Sequence, residues 1–160
     1  MIMTQQKQIV LILFLAISLG LLRSFFLDDP DFTLIKQDRI IDEVNSFLIP
    51  DDMSGPLLVN LEFSKYHFDA GTVVFIDARD PEDYEAGHIQ NAINIPYDYY
   101  EDYEEVIDEL EDSGIYIIYC SGEECSLSID LADYLYNEKL IDKLLIFEGG
   151  WPQWRDAGYP

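Results

Sequence analysis

Basic residues are scarce in this chain: 9 Lys and Arg stand against 32 Asp and Glu in 160 residues, giving a formal charge of −23. No Lys or Arg falls between Arg79 and Lys139. Phosphate backbones are held by such cations, and so is flat docking on anionic lipid, so the balance argues against nucleic acid and against a lipid-surface binder. The acidic run serves either solubility or a cationic partner. Cysteine and histidine are equally sparse, at two residues each. Two thiols with no accompanying His or Cys cluster do not make a structural zinc site, and the chemistry implied below needs no metal and no cofactor. No internal repeat is visible. Apolar residues make up 49% and aromatics 14%, ordinary for a packed domain, so the excess of acid is a surface property and not a sign of disorder.

One long apolar run is present. Residues 9–27, IVLILFLAISLGLLRSFFL, are apolar except for Ser18, Arg23 and Ser24. As a helix they extend about 28 Å, the depth of a bilayer core. An uncleaved single-pass anchor is the expectation, with a cleaved signal peptide as its rival; no Ala-x-Ala-like site follows the run. Lys7 and the terminal amine precede the run, Arg23 lies inside its end, and the acidic residues that follow count little; with the domain carboxyl-terminal, the expectation is an amino terminus inside and the remainder outside, in an extracytoplasmic (periplasmic) space where disulfides persist. The expected division is anchor 1–27, linker 28–56 and one domain 57–160. The linker is expected to carry a short amphipathic helix, because Ile40, Ile41, Val44, Phe47 and Leu48 repeat at helical spacing behind Asp38.

Beyond Pro56, short apolar runs alternate with helical stretches. Thr72–Asp77 reads as a buried strand, and Asp80-Pro81 as the start of a helix through Glu85. Tyr99–Asp112 reads as a long acidic helix stopped by Gly114, and Ile115–Tyr119 as a strand. Ser126–Glu138 reads as a helix and Leu144–Phe147 as a last strand. Strand-helix alternation implies an α/β domain of three layers, with a central, mostly parallel sheet flanked by helices.

Ligands of such sheets sit beyond the carboxyl ends of the strands, where helices begin with unpaired N–H groups. Cys120 occupies that place, after Ile115–Tyr119 and before the next helix. Converging N–H groups and a helix dipole favour thiolate, so its pKa is expected to fall from about 8.5.

The segments Phe75-Ile76-Asp77-Ala78-Arg79, Asp83-Tyr84-Glu85-Ala86-Gly87-His88-Ile89 and Ala92-Ile93-Asn94-Ile95-Pro96 resemble the opening signatures of the rhodanese family. Tyr119-Cys120-Ser121-Gly122 and Glu148-Gly149-Gly150-Trp151, with Trp154, Ala157, Gly158, Tyr159 and Pro160, resemble its active-site and closing signatures. The resemblance covers about residues 57–160. It implies a sulfurtransferase in which Cys120 takes sulfane sulfur from a donor and passes it to a thiol acceptor, small molecule or protein. Backbone N–H groups suit an anionic persulfide. By the same resemblance Asp77 and Arg79 brace the loops beside the site, His88 is a helix-end hydrogen-bonding residue, and Gly149 and Gly150 allow a close approach to the active-site loop.

The loop itself departs from the family. Many active rhodaneses carry Arg or Lys there to attract thiosulfate, whereas this loop is Ser121-Gly122-Glu123-Glu124-Cys125-Ser126. Two carboxylates repel a dianion and oppose a thiolate. Glu123 and Glu124 either point to solvent or meet a cationic acceptor. Cys125 is either a resolving thiol that forms a disulfide with Cys120, or a small residue packed at the helix start. Ser126 stands where related phosphatases need Arg, which sets phosphatase activity aside. An enzyme and a non-catalytic binding module that docks through its acidic surface are both carried forward.

Overall fold

A computed structural model describes residues 46–122 and 125–160, together with Phe14. The chain divides into two units, Met1–Ile40 and Ile41–Pro160, and all secondary structure discussed below belongs to the second. The anchor segment 9–27 apart from Phe14, linker residues 28–45, and Glu123 and Glu124 lie outside the described residues. Among the described residues no helix is long and apolar enough to cross a membrane.

Five strands form one sheet: β1 (Leu57–Val59), β2 (Val74–Asp77), β3 (Ile93–Asn94), β4 (Ile115–Tyr119) and β5 (Lys143–Phe147). Their order is β1-β5-β4-β2-β3 and every pairing is parallel. The central strand β4 is a continuous apolar run because it is covered on both faces. Asp77 lies opposite Tyr119 and Asn94, and Tyr119 opposite Phe147. With Val59 also opposite Phe147, the carboxyl ends of all five strands finish level, and the loops that follow them share one edge.

The helices are α1 (Leu61–Ala70), α2 (Pro81–Ala86), α3 (Glu104–Asp108), α4 (Leu127–Glu138) and α5 (Gly150–Asp156). Strand side chains alternate between faces, so the sheet feeds two cores. On one face Ile76, Tyr116, Ile118, Leu144 and Ile146 pack with Leu131, Ala132 and Leu135 of α4. On the other, Phe75, Ile117, Tyr119, Leu145 and Phe147 pack with Phe63 of α1 and Trp154 of α5. Trp154 is wholly buried among the rings of Phe68, Phe75, Phe147 and Tyr159, and its indole N–H donates to the Pro160 carbonyl at 2.7 Å. The α/β class and the helix-flanked parallel sheet are as expected.

Several expectations need correction. The long acidic helix over Tyr99–Asp112 is instead a 3-10 helix, Tyr97–Tyr103, kinked at Tyr99, followed by the short α3. Tyr and Asp are weak helix formers, and Glu101, Glu104, Glu105, Asp108 and Asp112 would set like charges three or four residues apart in one continuous helix. Lys139 relieves part of that repulsion by pairing with Glu104 and Asp108, while Tyr134 donates to Glu104 at 2.7 Å. The first strand and helix, β1 and α1, were not individually read from the sequence. Asn60 caps α1 by accepting from Phe63 N at 2.9 Å, and Gly71 ends it in the left-handed conformation. Part of the expected linker belongs to the folded unit: Ile49 and Met53 pack on the second core, and the Phe47 carbonyl meets His67 Nε2 at 3.1 Å. Phe47 and Leu48 are themselves exposed.

Candidate active site

The turn after β4 is built from backbone. The Cys120 carbonyl accepts the Trp151 N–H at 2.9 Å, and Cys125 N–H donates to the Gly122 carbonyl at 2.9 Å. Ser126 then precedes α4. Gly122 sits at φ 116° and Gly150 at φ 55°, both in the region that favours glycine. At Gly150 a Cβ would stand 2.2 Å from the Cys120 carbonyl oxygen and 2.8 Å from Gly122 N, so this glycine admits the active-site turn. Gly149 differs: its φ is −63°, ordinary helix backbone, and the nearest atoms a Cβ there would meet belong to the Gln153 side chain and not to backbone.

The two thiols lie together and are unequal. Cys120 is 1% exposed, while Cys125 is half-buried. Cys120 Sγ lies 3.3 Å from the Cys125 carbonyl oxygen and 3.4 Å from Ser128 Oγ. The hydrogen bond between the two thiols and burial push Cys120 up, against the expected fall. The reason is geometric: Sγ faces a carbonyl and a second thiol inside the core edge, where a charge is poorly solvated. Cys125 is pulled down to about 6, first by the hydrogen bond from Cys120 and then, against some desolvation, by the backbone N–H groups of Ser121 and Leu127. The thiolate preference expected at Cys120 thus falls on Cys125.

A consequence is measurable. The thiolate fraction of Cys125 should rise with pH through about 6, so its alkylation by iodoacetamide should climb between pH 5 and 7 and level off above. Intrinsic nucleophilicity falls with pKa, roughly 0.4–0.5 log units per unit, so the advantage over an ordinary thiol is about tenfold near pH 6 and shrinks as pH rises. Asp130 opposes the thiolate, and Asp156 lies across the same depression. A rise centred near 8.5, the ordinary thiol value, would contradict the arrangement.

Asp77 and Arg79 stand at the end of β2. Asp77 is wholly buried and accepts Arg79 Nε at 2.9 Å and Nη2 at 2.6 Å, a two-pronged pair. Arg79 Nη2 also donates to the Gly87 carbonyl at 2.8 Å. Its guanidinium carbon lies 5.7 Å from the Trp151 ring centre, and Trp151 in turn holds the Cys120 carbonyl. The pair therefore reaches the thiol turn through one residue, Trp151, whose ring meets Arg79 and whose backbone N–H meets the Cys120 carbonyl. Tyr119 joins it: burial and the Asp77 charge push its phenol far up, and its oxygen accepts from Ile89 N at 3.0 Å. His88 sits apart, Nδ1 at 2.7 Å from the Tyr84 carbonyl and its ring stacked on Tyr84.

An open depression of about 770 Å³ lies over the turn. Ser121, Gly122 and Cys125 line one side, and Gly149, Pro152, Gln153 and Asp156 of the α5 region the other. Cys120 does not line it. The sequence reading brought Cys120, Cys125, Ser121, Gly122, Ser126, Gly149 and Gly150 to one place, and missed Ser128, Trp151, Pro152, Gln153 and Asp156. Gln153 and Asp156 follow Gly149 by about one and two helical turns, the spacing that could have placed them on its face.

The model of the rhodanese-like domain matches residues 62–157. This chain belongs to the rhodanese-like domain family. Over 92 residues it is 35% identical to the HTH-type transcriptional regulator Rv0324 of Mycobacterium tuberculosis, matching 58% of this chain and 38% of that protein. The chain thus spans about two-fifths of that relative's length. Among solved structures it resembles the BH2092 protein of Bacillus halodurans, at 24% identity and TM-score 0.56, over 62% of this chain and 72% of that one. It also resembles the rhodanese-like domain of the Alr3790 protein of Anabaena, at 23% identity and TM-score 0.52, over 69% of this chain and 78% of that one. Both likenesses bear on the fold of this rhodanese-like chain.

Proposed function

We propose that this rhodanese-like domain is a sulfurtransferase or persulfide carrier, taking sulfane sulfur at the thiols of the β4 turn and passing it to a thiol acceptor. The observation that carries the reading is a paired thiol beneath an open depression, with one member held toward thiolate at neutral pH. Residues 9–27 serve as a single-pass membrane anchor, with the domain on the extracytoplasmic side. The donor that suits the site is a persulfide of low charge and not a dianion such as thiosulfate. Asp156 lines the depression, no Lys or Arg does among the described residues, and Glu123 and Glu124 belong to the same loop.

A second reading has its own support. Cys120, the thiol at the family's nucleophile position, is buried, and the chain is strongly acidic, as a binding module that docks a cationic partner would be. Incubating the full-length chain with glutathione persulfide or polysulfide separates the two. The sulfur-transfer reading expects either a gain of about 32 Da on the intact mass or release of hydrosulfide, both lost in the Cys120→Ser/Cys125→Ser double variant. If iodoacetamide labels the chain but no donor produces either signal, the binding-module reading stands.

A further inference from the structure

We infer that Cys125 is the thiol that receives the sulfur and that Cys120, buried behind it, resolves the persulfide, making the site a dithiol sulfane-sulfur reductase that releases hydrosulfide. This rests on the sulfur-transfer reading and reverses the order of the two cysteines that family position suggests. Cys125 lines the depression, whereas Cys120 is 1% exposed and does not. A donor approaching from solvent therefore meets Cys125 first. Beyond the hydrogen bond from Cys120, the backbone N–H groups of Ser121 and Leu127 also lower the Cys125 pKa, so an anion is favoured on the thiol that faces the depression. Cys120 Sγ is held within 3.3 Å of the Cys125 backbone and 3.4 Å of the buried Ser128 hydroxyl. That places it against Cys125 and away from any incoming molecule.

The chemistry balances in three steps. Cys125 thiolate attacks the outer sulfur of a persulfide donor RS–SH; the donor S–S bond breaks, and its electron pair leaves with RS⁻. Cys125 now carries –S–SH, whose proton passes to RS⁻ or water. Cys120 Sγ then attacks Cys125 Sγ: a Cys120–Cys125 disulfide forms, the outer sulfur departs with the bonding pair, and the proton of the Cys120 thiol leaves with it as HS⁻. An external dithiol reductant restores both thiols and is itself oxidised to a disulfide. The sulfane sulfur has gained two electrons, supplied in the end by that dithiol.

Glutathione persulfide, applied to the full-length chain with intact-mass and hydrosulfide readouts, tests the order. Wild type should lose about 2 Da and release hydrosulfide, whereas Cys120→Ser should hold a stable gain of about 32 Da and release about tenfold less. Cys125→Ser should show neither. A gain that persists in Cys125→Ser and vanishes in Cys120→Ser would overturn the inference and leave sulfur transfer intact. No signal in wild type would remove both. Limiting iodoacetamide on unmutated protein, with fragment ions locating the label, gives a check that needs no variant: about tenfold preference for Cys125 is expected, and label arriving first on Cys120 overturns the order.

Discussion

Replacing Asp77 with Ala should cost about 3–5 kcal/mol, read from urea or guanidinium unfolding of the full-length chain, because it strands a buried charge. Arg79 is 5% exposed and, once the carboxylate is gone, keeps the Gly87 carbonyl, the faces of Tyr119 and Trp151 and the charge of Asp83 without a direct ion pair. A loss of that size is a large part of the ~5–15 kcal/mol that typically holds a domain together. The cost should not be additive with that of its partner. In an Asp77→Ala/Arg79→Met double variant neither charge remains in the core, so the second substitution should restore part of the loss. A penalty below about 1 kcal/mol for Asp77→Ala would mean that water reaches Arg79 and that the pair is not a brace. Because Arg79 bears on Trp151, the single variant should also loosen the hold on the Cys120 carbonyl, visible as a change in thiol labelling under conditions where the protein is still folded.

Gly150→Ala should have the largest effect on the site itself. Its φ of 55° is unfavourable for alanine, and the new methyl would lie 2.2 Å from the Cys120 carbonyl oxygen and 2.8 Å from Gly122 N. Both are backbone atoms, so relief requires moving the turn. Strain of this kind costs about 1–3 kcal/mol in stability, and more to the geometry it displaces. The N–H groups around Cys125 should then no longer converge, and its labelling at pH 6 should drop about tenfold, with the midpoint moving toward the ordinary thiol value. Gly149→Ala is the matched control. Its backbone is already helical and the nearest atoms in the way belong to the flexible Gln153 side chain, so labelling should be little changed. Equal behaviour of the two variants would show that the close approach at Gly150 does not shape the site.

Much of this was legible from residue order. The uninterrupted run Ile115–Tyr119 needs no tertiary information, since only a strand covered on both faces is apolar throughout, and its predicted bounds coincide with β4. Cys120 could be placed at the edge of the sheet for the same reason. Its electrostatics could not. Whether Sγ meets N–H groups or carbonyls depends on a rotamer and on where residue 125 returns, and neither has a signature in spacing. Helix α1 did carry one, Asn60 before and Gly71 after an apolar-periodic stretch, but the modest apolar content between them hid it. The acidic helix failed for the opposite reason: its residues looked continuous, and mutual repulsion with aromatic packing of Tyr100 on Tyr134 broke the segment into two pieces.

The strand order has a kinetic side. Among the described residues the first strand, β1, is paired only with β5, the last, so Leu57–Val59 lacks that partner until Leu145–Phe147 exists. Loop closure over that separation comes late in folding, and contacts of this range slow it. During synthesis the β4 turn and both thiols leave the ribosome before β5, whose Leu144 and Ile146 share the core cluster that buries Cys120. In that interval the cysteines are bare. Until β5 completes that cluster, the thiols are open to oxidation.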